Sequence, residues 1–284
     1  MTAAKMHQKL SHQIGRFVGR HFNGRKGVER LLRIIHHPDR QKTSWITSIE
    51  RAYPGGPRFH IETRWAIEWQ IYFYGTQDRR IHDWVVGRAR PDWVGIDAGA
   101  NCGFFSTLLA SLCAEVHSFE PVPWLAERAE GNLKLNGLTN CWVNRLALSD
   151  RAGFAMMNLP TADDANWGTS SIMHRADNCT GTTAKVETTT LDEYCSNFGR
   201  IDFIKIDVEG AEHLVLRGGR KILAKHRPAI IFERNAESGP ESVAILRELG
   251  YRITTIDGRS LSLPIDRHWP VDLLATQASA EPTT

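Results

Sequence analysis

The stretch Val94 to Phe105, VGIDAGANCGFF, restricts the possible folds more than any other part of the chain. An apolar run ends in Asp97, the backbone passes Gly99, Asn101 and Gly103, and a helical pattern begins at once. Strand, tight turn and helix start therefore follow one another without a linker. Such a unit places backbone N–H groups and the positive end of a helix at the carboxyl edge of a parallel sheet, where ligands bind. A side chain at Gly99 or Gly103 would obstruct either the backbone angles or the ligand's path.

From this point onward short apolar runs alternate with helical patterns, which predicts a doubly wound, mostly parallel sheet with crossover helices. Strands are expected at Trp93–Ile96, Glu115–Phe119, Cys141–Arg145, Phe203–Ile206, Ala229–Phe232, Tyr251–Thr255 and Asp272–Ala275. Helices are expected at about 103–112, 122–135, 211–225 and 240–249. Upstream, Pro54 to Pro57 marks a loop, 59–74 is dense in aromatics (Trp65, Trp69, Tyr72, Tyr74), and a helix is expected at about 78–86 before Pro91. The polar excursion from Asp150 to Tyr194 is too long for a simple connection and reads as a functional loop or lid.

The chain's formal charge of +3 is unevenly distributed, because residues 1–40 hold nine Lys/Arg against Glu29 and Asp39. That arm is +7 and the remaining body −4. With apolar residues such as Leu10, Ile14, Phe17 and Val18 at helical spacing, the arm reads as a helix packed on the body, with contact to acidic lipid or nucleic acid as alternatives. Residues 1–60 are taken as this basic helical extension, 61–276 as the catalytic body and 277–284 as a flexible tail. No apolar stretch approaches the roughly 20 residues of a membrane helix, and no leader is evident, so a cytoplasmic chain is expected. Five scattered cysteines without a CxxC pair suit reduced thiols better than disulfides or zinc.

Asp97 narrows the cofactor. A carboxylate facing the glycine turn repels a pyrophosphate and attracts the cationic ammonium and sulfonium of S-adenosylmethionine (SAM). The GxxxG spacing, lacking the third glycine of a dinucleotide fingerprint, agrees. Glu120, in HSFEP and 23 residues past Asp97, is placed to accept ribose hydroxyls, a role shared by SAM and nicotinamide sites.

Several ordered blocks resemble the FkbM-type family of class I SAM-dependent methyltransferases: FYG (73–75), IDAGANCGFFS (96–106), FEP (119–121), ALSD (147–150), TTLDEY (189–194) and DFIKIDVEGAE (202–212). The resemblance implies a seven-stranded Rossmann-like fold and SAM contacts at Asp97, Gly99, Ala100, Asn101, Gly103, Phe104, Glu120 and Pro121. It places Leu146 and Ala147 beside adenine and makes S-adenosylhomocysteine the product. The activity it implies is methylation of a hydroxyl on a glycan or natural-product-like acceptor. Residues 1–60 lie outside it.

A sugar hydroxyl is a weak nucleophile, so O-methylation benefits from a nearby base. Strand alternation puts Phe203, Lys205 and Asp207 on one face, with Asp207 emerging at the carboxyl edge. Asp207 is the first candidate for base or acceptor-orienting group, Glu209 the second and His213 the third, with Lys205 expected to pair with Glu209 or Glu233. A metal at Asp207 with a partner among 233–235 is conceivable, but carboxylates at defined spacing are too few to expect one. Thr169, Ser170 and Ser171 resemble a Ser/Thr patch of the family's acceptor cleft. Trp65, Trp69, Tyr72 and Tyr74 are read chiefly as packing. Two further readings are a nucleic-acid methyltransferase, which lacks the expected Pro-Pro-aromatic block, and a SAM-binding module without turnover.

Overall fold

The computed structural model describes residues 3–22, 27–28, 30–32, 46–159, 171–172, 182–235, 238–261 and 271–277. Thr169, Ser170 and the tail from 278 lie outside them. Helix α1 (Ala3–Phe22) precedes a hairpin of β1 (Thr47–Arg51) and β2 (Arg58–Glu62), then α2 (Ala66–Tyr74) and α3 (Arg79–Arg88). The body opens with β3 (Val94–Ala98), α4 (Phe104–Ala110), β4 (Glu115–Phe119), α5 (Pro123–Leu135) and β5 (Cys141–Asn144). A side sheet follows from β6 (Ala147–Leu148), β7 (Gly153–Leu159), β8 (Ser171–Ile172) and β9 (Thr182–Thr189), leading to α6 (Leu191–Tyr194). The body closes with β10 (Phe203–Ile206), α7 (Glu212–Arg217), α8 (Arg220–His226), β11 (Ala229–Glu233), α9 (Gly239–Glu248), β12 (Tyr251–Thr255) and β13 (Asp272–Gln277).

The main sheet has seven strands in the order β12-β13-β11-β10-β3-β4-β5. All pairings are parallel except those of β13, which runs antiparallel between β11 and β12. The order reverses between β3 and β10, which makes their carboxyl ends the switch point of the sheet. This is the doubly wound, seven-stranded α/β architecture that the alternating pattern predicts and the family resemblance implies. Every residue of β3 and β10 is buried, as strands covered on both faces must be. One face packs Phe203 and Ile231 against Trp84, Phe104, Phe105 and Leu108. The other packs Ile96, Ile204 and Ile230 against Leu191, Val215, Leu223 and Leu246.

Three expectations are revised. The extension ending at residue 60 is not helical throughout, because from Thr47 onward it is the β1–β2 hairpin, closed by Ala52 N–H to the Pro57 carbonyl. That hairpin is bonded to the body, since Arg58 and His60 N–H donate to Asn136 and Asn132 at 2.8 Å each. The excursion after Asp150 is largely β structure at its described ends: β7 and β9 pair antiparallel over seven registered positions. The helix expected over 211–225 breaks at Gly218–Gly219, where the backbone turns close against Ser149 and Leu191. Buried Trp69, Tyr72 and Tyr74 belong to the core, as expected of a cluster so close to it.

Candidate active site

The glycine turn leaves β3 with Gly99 at φ 84°, Asn101 at φ 51° and Gly103 at φ 79°, all left-handed. Left-handed backbone favours glycine, and Asn is among the side chains that tolerate it. Space is the stronger constraint. A Cβ on Gly99 would lie 1.8 Å from the Asp207 carbonyl oxygen, and one on Gly103 would lie 2.8 Å from the Ala129 Cα. Two other backbones press on the turn, and their approach alone requires glycine at 99 and 103. Gly99 and Ala100 N–H donate to the Phe119 carbonyl at 3.0 Å, tying the turn to β4.

Glu120, at the carboxyl end of β4, completes the cradle. Its Oε2 accepts from Asn101 N–H at 2.8 Å and its Oε1 from Val122 N–H at 2.9 Å. Each oxygen keeps a lone pair for a ligand. Burial raises its pKa to about 7 against the lowering effect of those hydrogen bonds.

Asp97 is held by partners within the core. Its side chain is fully buried behind the turn, where Oδ2 accepts from Ser106 Oγ at 2.7 Å and Ser106 in turn accepts from Ser118 Oγ at 2.8 Å. Oδ1 has no hydrogen-bond partner among the described residues and lies 3.9 Å from Lys205 Nζ. Lys205, also buried, donates to Asp207 Oδ2 at 2.9 Å. It therefore pairs with Asp97 and Asp207, not with Glu209 or Glu233. Burial opposes the charge on Lys205, but the two aspartates outweigh it and hold its pKa above the ordinary lysine value.

A cavity of about 270 Å³ opens at the switch point. One side is formed by Gly99, Asn101, Phe119, Glu120, Pro121, Leu125, Leu146, Ala147, Leu148 and Met157. The other carries Gln70, Gln77, Asp78, Asp207, Glu209, Glu233 and Asp272. Of the residues expected at the cofactor, Gly99, Asn101, Glu120, Pro121, Leu146 and Ala147 line it, while Asp97, Ala100, Gly103 and Phe104 do not. Phe104 is stacked on Phe59 in the core, and its neighbour Phe105 faces the cavity instead. Of the expected catalytic residues Asp207 and Glu209 are present, and His213 is not.

The second side is an acidic convergence that linear spacing does not show. Asp207, Glu209 and Glu233 offer carboxylate oxygens all within 4.8 Å of one another, an arrangement able to share a proton or hold a cation. Asp272 joins them because the antiparallel register pairs it with Glu233. Asp78, which caps α3 by accepting from Ile81 N–H at 2.9 Å, adds a sixth acid with Glu120. No lysine or arginine lines the cavity among the described residues. Burial first, then repulsion from Asp207 and Glu212, raises Glu209 to about 7. Burial and the neighbouring carboxylates raise Glu233 to about 8, and burial with Asp78 and Asp207 raises Asp272 to about 7.

Residues 97–253 match the family model for the methyltransferase FkbM domain. The chain belongs to the FkbM methyltransferase family. The 2-O-methyltransferase NoeI of Sinorhizobium fredii is 32% identical over 167 residues, covering 54% of this chain and 68% of NoeI. A solved FkbM methyltransferase from Methylobacillus flagellatus aligns at TM-score 0.46 and 18% identity, over 66% of this chain. The chain spans 44% of that larger protein. An rRNA methylase from Streptococcus thermophilus aligns at TM-score 0.41 and 14% identity, covering 71% of this chain and 98% of that one. The FkbM match spans both sides of the cavity, from Asp97 through Glu233, whereas α1, the hairpin and Asp272 fall outside it.

Proposed function

We propose that the chain is a SAM-dependent O-methyltransferase that acts on a hydroxyl of a glycan or natural-product-like acceptor. The observation that carries this reading is the cavity itself, with a glycine cradle on one side and a cluster of acids that outnumber their one ion-paired lysine on the other. The donor set fits SAM. Glu120 would hold the ribose hydroxyls, the slot of Phe119, Leu125, Leu146, Leu148 and Met157 would take the adenine, and the surplus of negative charge suits a cationic ligand. When bound, SAM supplies an electrophilic methyl group on a sulfonium. The protein's own contribution is to orient the acceptor and remove its proton.

Asp207 and Glu209 divide that work. Lys205 donates to Asp207 Oδ2 at 2.9 Å, which fixes that carboxylate as an orienting acceptor for a hydroxyl. Glu209 makes no ion pair among the described residues and titrates at about 7, the range in which a general base is most effective. The ranking from sequence is therefore inverted, with Glu209 as the base and Asp207 as the orienting group. The 2-O-methyltransferase activity named for NoeI supports oxygen as the methylated atom. A nucleic-acid acceptor fits poorly, because a cavity lined by six acidic residues and, among the described residues, by no lysine or arginine would disfavour its phosphates.

The test is transfer of label from SAM to fractionated glycans, lipids and RNA, with calorimetric binding of SAM measured alongside. Glu209→Gln is expected to lower turnover by about 100-fold or more while changing the SAM dissociation constant less than about 3-fold. Failure of the parent chain to bind SAM, or label appearing in RNA alone, would overturn the reading.

A further inference from the structure

Helix α1 lies outside the FkbM match and outside the chemistry above, yet its surface is organised. His12, Gly15 and Gly19 are buried, with the His12 ring against Tyr72 and Phe73 of α2. A Cβ on Gly19 would lie 2.5 Å from the Phe73 carbonyl oxygen, so this face is seated closely. At about 100° per residue, Arg16, Arg20, Gln13, Phe17, His21 and Ile14 then follow in that order around the opposite arc. Its cationic half adjoins its apolar half. Ile14 and Phe17 are 56% and 57% exposed, unusual for side chains of their size on a helix already packed on a body.

The arc borders a second cleft, of about 510 Å³, where Arg16, Phe17, Arg20 and His21 meet Tyr53, Tyr74 and Arg79. Arg16 is paired with Glu50 and Arg79 with Asp83, each at 2.9 Å. Arg20 has no carboxylate partner among the described residues, and its Nη2 donates only to the Arg51 and Tyr72 carbonyls, at 2.9 and 3.4 Å. Burial and the neighbouring Arg16 lower its pKa, as expected of a cation still lacking its anion. The cleft adjoins the catalytic cavity: Asp78 lines one and Arg79 the other, as do Gln70 and Tyr74 one turn apart on α2.

We propose that the outer arc of α1 and this cleft form a docking surface for anionic phospholipid, with Ile14 and Phe17 entering the interface and Arg20 taking a lipid phosphate. Charge complementarity selects this occupant. The +7 of residues 1–40 is opposite in sign to an anionic leaflet, whereas the −4 body is not. Exposed apolar side chains beside that charge distinguish a lipid surface, which offers both a phosphate layer and hydrocarbon, from a nucleic acid, which offers phosphate without hydrocarbon. The docked face would stand next to the cavity, one helix away.

Co-sedimentation of the full chain with vesicles tests this, using phosphatidylcholine alone and phosphatidylcholine mixed with phosphatidylglycerol. Binding is expected only to the mixture and is expected to be lost at high salt. The Ile14→Ser/Phe17→Ser double variant, whose side chains support no core, should lose about 10-fold or more of that binding. Arg20→Gln should lose about 5-fold, the worth of one basic residue at such a surface. Thermal melts within a degree or two of the parent would show the double variant folded. Equal binding to both vesicle types, no binding to either, binding by the folded double variant equal to the parent's, or retention on single-stranded RNA without vesicle binding would each overturn the proposal.

Discussion

At the glycine turn each acidic group has partners from the chain: Glu120 accepts from Asn101 and Val122 N–H, and Asp97 accepts from Ser106 beside Lys205. At the ends of β10, β11 and β13 the acids outnumber their partners: of Asp207, Glu209, Glu233 and Asp272, Asp207 alone is ion-paired among the described residues, with Lys205. The first region is preorganised backbone and is rigid by construction. The second stores unfavourable charge, which a cationic ligand relieves. Substitutions in the first should therefore act on folding before they act on function, and those in the second should do the reverse.

Gly99→Ala is the most severe way to probe this contrast. The new methyl group meets the Asp207 carbonyl at 1.8 Å, and alanine at φ 84° is strained whatever the space. Strain and overlap together are expected to cost about 4 kcal/mol or more. Denaturant melts should show a loss of that size, or no folded protein. A Gly99→Ala variant that melts like the parent and loses only SAM affinity would make the turn a ligand contact instead of a junction between β3 and β10.

Much of this contrast is legible in the amino-acid sequence, and the reason is locality. The strand–turn–helix at 94–105, the acid at 120 and the carboxyl edge at 207 are each decided within a few residues, so periodicity and turn chemistry find them. What escapes such a reading depends on long-range placement. Asp272 reaches the cavity only because β13 is inserted antiparallel against Glu233, although periodicity does place its strand correctly. Phe105 lines the cavity in place of Phe104 because adjacent residues on a helix point about 100° apart, a phase that the turn sets. Asp97 fits a ligand-facing carboxylate equally well on paper, and only Lys205, more than a hundred positions away in sequence, reveals its actual partner.

Asp97→Asn follows with a smaller effect on the same side of the comparison. The amide keeps the volume and one acceptor for Ser106 but removes one of the two charges that balance buried Lys205. Asp207 remains, so the expected destabilisation is about 3 kcal/mol, at the low end for breaking a buried pair. A loss of that size would mean that Asp97 serves SAM binding through the position of the turn. Loss of SAM binding at unchanged thermal stability would restore it to direct contact.

The smallest effect probes the second region through pH. The carboxyls of Glu209, Glu233 and Asp272 have folded-state pKa values raised to about 7, 8 and 7. A raised acid binds its proton more tightly folded than unfolded, so its contribution to stability is fully present below the unfolded carboxylate range and is lost as pH rises through the folded value. The ligand-free chain should accordingly lose about 1 to 2 kcal/mol between pH 6 and pH 8, after allowance for partial solvent exposure. A cationic ligand in the cavity opposes that loss, because it favours the ionised forms. The rise in melting temperature produced by SAM should then be several degrees larger at pH 8 than at pH 6. Glu209→Gln should shrink the difference by removing one of the titrating groups. The same SAM-induced shift at both pH values would mean that the acidic side is compensated by something other than the ligand's charge, and the contrast between the two halves would then be one of rigidity alone.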